Sequence, residues 1–139
     1  RFPDQIIGVK DSSYNLIESL EVENFSILPG SELKLLSGLE KGCSGIITAT
    51  CNVTATLSRK VYDDFFFKNP QSQNKKLCEV RRVFDEFNLI SALHTFYAKE
   101  DSIYENVLPP LRLLNEIEGK KLIDTLKGIN FNLKPSRAA

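Results

Sequence analysis

Ile6-Ile7-Gly8-Val9-Lys10-Asp11-Ser12-Ser13 is the stretch on which the fold turns. Its first four residues form a continuous apolar run, which predicts a strand buried on both faces, as in parallel sheets. Lys10 closes the run. Asp11-Ser12-Ser13 follow with turn and cap chemistry, and either serine can accept from the free N–H groups that open a helix. Tyr14, Ile17 and Leu20 then recur at helical spacing.

Two more strand–helix units follow. Asn24 resets the chain, Phe25-Ser26-Ile27-Leu28 predicts a second strand, and Pro29-Gly30-Ser31 breaks it. Leu33, Leu36 and Leu39 mark a helix that stops at Gly42. Gly45-Ile46-Ile47-Thr48 predicts a third strand. Thr54 then caps a helix that carries Leu57, Val61 and Phe65 inward, with Phe66 beside them. Strands alternating with helices imply parallel pairing and right-handed crossovers, the α/β class.

From about Pro70 the character changes to helix alone. Leu77, Val80, Phe84 and Phe87 share one face, and Leu89-Ile90, Leu93 and Phe96-Tyr97 continue a second helical stretch. Pro109-Pro110 forbids helix and marks a connector. Asn115 begins a last helix carrying Ile117, Leu122, Ile123 and Leu126 and ended by Gly128, and the tail from Lys134 reads as frayed. The expected organisation is an α/β part over residues 1–69 and a helical part over 70–139. Three parallel strands leave sheet edges open and faces uncovered, which predicts that strands are missing.

Composition narrows the function. The 139 residues carry 18 Lys+Arg against 18 Asp+Glu, and the basic clusters are no more than pairs, such as Lys75-Lys76 and Arg81-Arg82. This argues against nucleic-acid and membrane-surface partners. A hydrophobic content of 42% with 26% charged residues is globular and excludes a disordered chain. No apolar stretch approaches the ~20 residues that span a bilayer. Cys43, Cys51 and Cys78 show no CxxC spacing, and no secretory signal is visible, so a reduced, cytoplasmic setting is expected. Asn24 and Asn52 then read as accidental glycosylation patterns. The chain starts at Arg1 and has no Met, which predicts an internal or processed piece. No Gly-rich phosphate loop and no metal-ligand cluster is present, so no cofactor or metal is expected. His94, the single histidine, reads as structural. Phe65-Phe66-Phe67 cannot share one helical face and read as core.

Lys10 is the residue that points to chemistry. In parallel α/β folds, ligands sit at the carboxyl ends of strands. A lysine inside a barrel mouth is desolvated, which favours the neutral amine, and a neutral amine attacks a ketone to form a Schiff base. Position alone fits an ordinary solvent-facing lysine in a βα turn better than a buried one.

Ile6 to Ser13 resembles the Schiff-base lysine signature of the dihydrodipicolinate synthase / N-acetylneuraminate lyase family. Phe25 to Glu32 resembles that family's next strand and its substrate-contacting glycine turn, Gly42 to Val53 its last barrel strand, and Pro109-Pro110-Leu111 its C-terminal connector. The resemblance implies a (β/α)8 TIM barrel, here the last three strand–helix units plus a C-terminal helical bundle. It also implies a class I aldolase or lyase that uses pyruvate and an aldehyde, with no cofactor, assembled as a homo-oligomer (dimer or tetramer).

Carried over residue by residue, Lys10 forms the imine. Gly30 brings backbone close to substrate, with Ser31 and Glu32 lining the region that reads the second substrate. Ile47 offers its main-chain carbonyl, and Ser12 a hydroxyl. Ser31 and Glu32 fit helix capping as well. The Gly30-Ser31-Glu32 turn matches neither the synthase nor the lyase branch, so dihydrodipicolinate synthase, 2-keto-3-deoxy sugar-acid aldolase and N-acetylneuraminate lyase all remain open. The family's proton-relaying tyrosine and its carboxylate-binding hydroxyl pair belong to earlier strands. Neither Tyr14 nor Tyr62 matches that tyrosine, and the isolated piece is expected to be inactive. A non-catalytic half-barrel is the rival reading.

Overall fold

The computed structural model describes residues 4–19 and 22–131, which divide into two compact units at Cys78/Glu79. The expected boundary at 69/70 falls in the segment before the helix that carries this division.

The first unit opens with strand β1 (Gly8–Asp11), helix α1 (Leu16–Ser19) and strand β2 (Ser26–Pro29). β1 and β2 run parallel, with Gly8 opposite Ser26 and Lys10 opposite Leu28. Gly8 has a steric reason: a Cβ there would lie 2.8 Å from the Ser26 carbonyl oxygen. The α/β character and parallel pairing agree with the sequence. The strand's extent does not. Ile6 and Ile7 are 57% and 67% exposed and precede β1, so the apolar run is not a strand buried on both faces. Among the described residues the sheet has two strands, and no neighbour covers this end of β1.

Tyr14 is not part of a helix. It takes a left-handed backbone (φ 61°) before α1, and Leu20 lies outside the described residues. Asp11 organises this corner. Its carboxylate accepts from the amides of Ser13, Tyr14 and Leu16 and from the Ser13 hydroxyl, at 2.7–3.1 Å.

The expected third strand is not formed as a regular strand. Ser44 N–H donates to the Ile27 carbonyl and Ile47 N–H to the Pro29 carbonyl, both at 3.1 Å. Three residues thus advance over two of β2, one more than a ladder allows. Gly45, at φ +147°, absorbs the extra residue as a bulge does.

Helix α2 (Leu35–Glu40) follows a 3-10 turn, Glu32–Lys34, which Ser31 caps. Helix α3 (Cys51–Phe66) has Thr50, not the expected Thr54, at its N-cap position. Leu35, Leu39, Val61 and Leu77 form the core here, with Leu36, Ile46, Leu57, Tyr62 and Phe65 packed against it. Phe66 and Phe67 are 53% and 72% exposed, so only Phe65 of the triple serves the core.

Helix α4 (Asn74–Asp85) carries the division between units. The second unit adds α5 (Leu89–Tyr97) and α6 (Glu116–Gly128). Phe84, Val80, Ala92, Leu122 and Leu126 are sealed from solvent, and the Phe84 and Phe96 rings meet edge-on. The single histidine, His94, lies 2.9 Å through Nδ1 from the Tyr104 carbonyl. Asn115 and Glu118 close a reciprocal capping box at the start of α6. Ile117 is not a core residue: at 83% exposed it faces water. The tail from Asn132 lies outside the described residues. No helix among the described residues is long and apolar enough to cross a membrane.

Candidate active site

Parallel strands place their carboxyl ends side by side, so the residues that close β1 and β2 meet. Lys10 alternates with the buried Asp11: while the carboxylate turns to the α1 corner, the amine points along the opposite face. Lys10 Nζ donates to Ser12 Oγ at 3.1 Å. Gly30 N–H donates to the Asp11 carbonyl at 2.9 Å, which draws the glycine turn across the end of β1. A Cβ on Gly30 would stand 3.2 Å from Ser12 Oγ. Lys10, Ser12 and Gly30 therefore form one cluster of an amine, a hydroxyl and bare backbone.

The amine is not dry. Lys10 is exposed, contrary to the expectation of a desolvated lysine, because β1 is paired on one edge only among the described residues.

Ser31 and Glu32 follow Gly30 but turn their side chains away from that cluster. Ser31 Oγ accepts from Leu33 N–H at 3.3 Å, the capping role. Glu32 is 0% exposed. Its Oε2 accepts from the hydroxyls of Thr48 (2.9 Å) and Thr50 (2.8 Å), and its Oε1 from that of Thr54 (3.0 Å). Sequence reasoning assigned Thr54 to a cap and missed the threonines as partners of Glu32. The signal available was the recurrence of Thr48, Thr50 and Thr54 across the start of a helix. Ile47 is tied to β2 through its N–H, while its side chain is 50% exposed.

Cys43, Cys51 and Cys78 all lie in the first unit. Burial pushes Cys43 and Cys51 up from the ordinary thiol value, so those two are not activated as nucleophiles. Among the described residues, no group of three His, Cys, Asp or Glu side chains is arranged to hold a metal ion. The arrangement offers one nucleophilic amine beside a hydroxyl and an open glycine turn.

The family model described as the Dihydrodipicolinate synthetase family matches residues 3–129, and the chain belongs to that family.

Solved structures agree in fold. Dihydrodipicolinate synthase from Agrobacterium tumefaciens str. C58 superposes with a TM-score of 0.75 at 21% identity, over 92% of this chain and 45% of that one. The dihydrodipicolinate synthase from Thermotoga maritima gives a TM-score of 0.78 at 15% identity, over 91% and 46%. A Sulfolobus 2-keto-3-deoxygluconate (KDG) aldolase, in complex with D-KDPG, gives 0.74 at 20% identity, over 89% and 45%. These neighbours are TIM-barrel proteins, and the chain spans less than half the length of each. No curated protein sequence matches it.

Proposed function

We propose that this chain is the portion of a pyruvate-dependent class I aldolase that carries the Schiff-base amine, comprising the last three strand–helix units of a (β/α)8 barrel and its C-terminal helices. The observation that carries the reading is the cluster at the strand ends: Lys10 Nζ, Ser12 Oγ at 3.1 Å, and the Gly30 turn against that hydroxyl. Family membership supports it.

In this mechanism the free-base amine of Lys10 adds to the keto carbon of pyruvate. The carbinolamine loses water to give an imine, whose protonated nitrogen draws electrons from the adjacent methyl carbon. Loss of a proton from that carbon gives the enamine. The enamine carbon bonds to the carbonyl carbon of an aldehyde, the aldehyde oxygen takes up a proton, and water releases the lysine. Cleavage is the reverse. Ser12 orients the amine and contacts substrate, Gly30 admits it close to the backbone, and Ile47 directs a main-chain carbonyl to the pyruvate end. The backbone of the Gly30-Ser31-Glu32 turn borders the region that reads the second substrate, with the Ser31 and Glu32 side chains turned from it. No cofactor takes part, because the imine is the electron sink.

The favoured reaction joins pyruvate to aspartate semialdehyde, as in a dihydrodipicolinate synthase, in a cytoplasmic homo-oligomer. The similarity to a 2-keto-3-deoxygluconate aldolase keeps sugar-acid cleavage as the second reading. Assays of the intact protein with pyruvate plus aspartate semialdehyde, with a 2-keto-3-deoxy sugar acid and with N-acetylneuraminate separate the possibilities. Turnover of the first pair alone supports the synthase, and turnover of none contradicts an aldolase. The isolated 139-residue chain is expected not to turn over, since a lysine without proton relay and carboxylate site lacks positioning.

A further inference from the structure

A carboxylate with no exposure is costly to keep unless its oxygens are hydrogen-bonded. Among the described residues three carboxylates, Asp11, Glu32 and Asp64, are at most 2% exposed, and they differ in reach. Asp11 is bonded within five residues of itself, and Asp64 to Lys60 and Ser72 around the end of its own helix. Glu32 is bonded to residues 16, 18 and 22 positions away. It joins three segments that lie far apart in sequence: the Gly30 turn, the Ile47 stretch and the start of α3.

Those segments matter to the proposed site. Glu32 stands two residues after Gly30, and Thr48 follows directly on Ile47. The stretch carrying Ile47 is held to β2 by the Ser44 and Ile47 amides, without a regular ladder, because Gly45 breaks the register. Thr50 and Thr54 belong to the first turns of α3, whose N-terminus favours negative charge. Each threonine hydroxyl has one proton to give, and the carboxylate has acceptor sites for all three. The Thr54 proton is shared with the Thr50 carbonyl, also at 3.0 Å.

We infer that Glu32 is a positioning residue: its buried carboxylate, with Thr48, Thr50 and Thr54, is a strut that fixes the Ile47 segment against the Gly30 turn, and it does not touch the second substrate. The inference rests on the Schiff-base reading for its catalytic consequence, not for the strut itself.

The test uses Glu32→Gln, Thr50→Val and the conservative Thr50→Ser in the intact protein, with two readouts. The first is amide hydrogen exchange at Ser44 and Ile47. The second is borohydride trapping of pyruvate on Lys10 across a range of pyruvate concentrations. A strut predicts faster exchange at both amides in Glu32→Gln and Thr50→Val. It also predicts a rise of about tenfold in the half-saturating pyruvate, the scale expected of a sub-ångström misplacement. Thr50→Ser restores both toward the native values. Native exchange at Ser44 and Ile47 in folded variants overturns the strut. So does a Glu32→Gln variant that changes only the aldehyde KM while Thr50→Val changes nothing, which makes Glu32 a substrate contact. If the unmodified protein traps no pyruvate, the Schiff-base reading fails and the exchange rates alone decide the strut.

Discussion

Lys10 Nζ and Ser12 Oγ lie 3.1 Å apart at the end of β1, and Ser12 Oγ in turn stands where a Gly30 side chain would press. A single added methyl group therefore tests whether this corner is a site. Gly30→Ala places a Cβ 3.2 Å from the hydroxyl, tighter than ordinary contact, and the serine rotamer yields. The expected cost in stability is below about 1.5 kcal/mol, since one exposed hydroxyl moves and no core atom does. The half-saturating pyruvate rises several-fold. Equilibrium unfolding in urea and pyruvate trapping, measured on the same preparation, check the two halves.

Asp11 makes acid stability measurable. The Ser13 hydroxyl holds its carboxyl below the ordinary value; burial opposes this, and the amides of Leu16, Ser13 and Tyr14 add to the lowering. The folded state thus prefers the ionised form. Its contribution is present above the unfolded value of about 3.9 and is lost as pH falls through the lower folded value. Asp11→Asn should be less stable than the native chain at pH 7, with the gap closing below about pH 4. Urea midpoints across that range check it; a gap independent of pH contradicts the hydrogen-bonded carboxylate.

The second unit is predicted to depend on its interior and its caps. Phe84 has no exposure and meets Phe96 edge-on at 5.6 Å between centroids. Phe84→Ala should cost about 3–5 kcal/mol. Asn115→Ala removes one partner of the capping box and should cost about 1 kcal/mol, within a range of about 0.5–2. Thermal or urea denaturation of both variants measures the contrast.

How much was legible in the sequence differs by kind of signal. Helices α3, α4, α5 and α6 follow from apolar spacing, and Asn115 marks the start of α6, while its reciprocal partner Glu118 emerges only in the structure. Strand extents were not legible. Whether Ile6 and Ile7 belong to a strand depends on a neighbouring strand, which no local pattern specifies, and they are exposed here. The 45–48 segment reads as a strand by composition, yet Gly45 at φ +147° shifts its register by one residue. Lys10 is legible from its place at a strand end and Ser12 and Gly30 through the family resemblance, and the structure places the Ser12 hydroxyl beside both of the others. The role of Glu32 was hidden because its partners are 16 to 22 residues away and gather only once α3 has formed.

The central claim is that Lys10 captures a keto acid covalently. The direct measurement is borohydride reduction of the intact protein in the presence of pyruvate, followed by peptide mass mapping, with Lys10→Arg as control. The account predicts a reduced pyruvyl group on the peptide containing Lys10 and none on Lys10→Arg, whose guanidinium does not form the imine. An unmodified Lys10 at saturating pyruvate, or a label on other lysines that persists in Lys10→Arg, contradicts it.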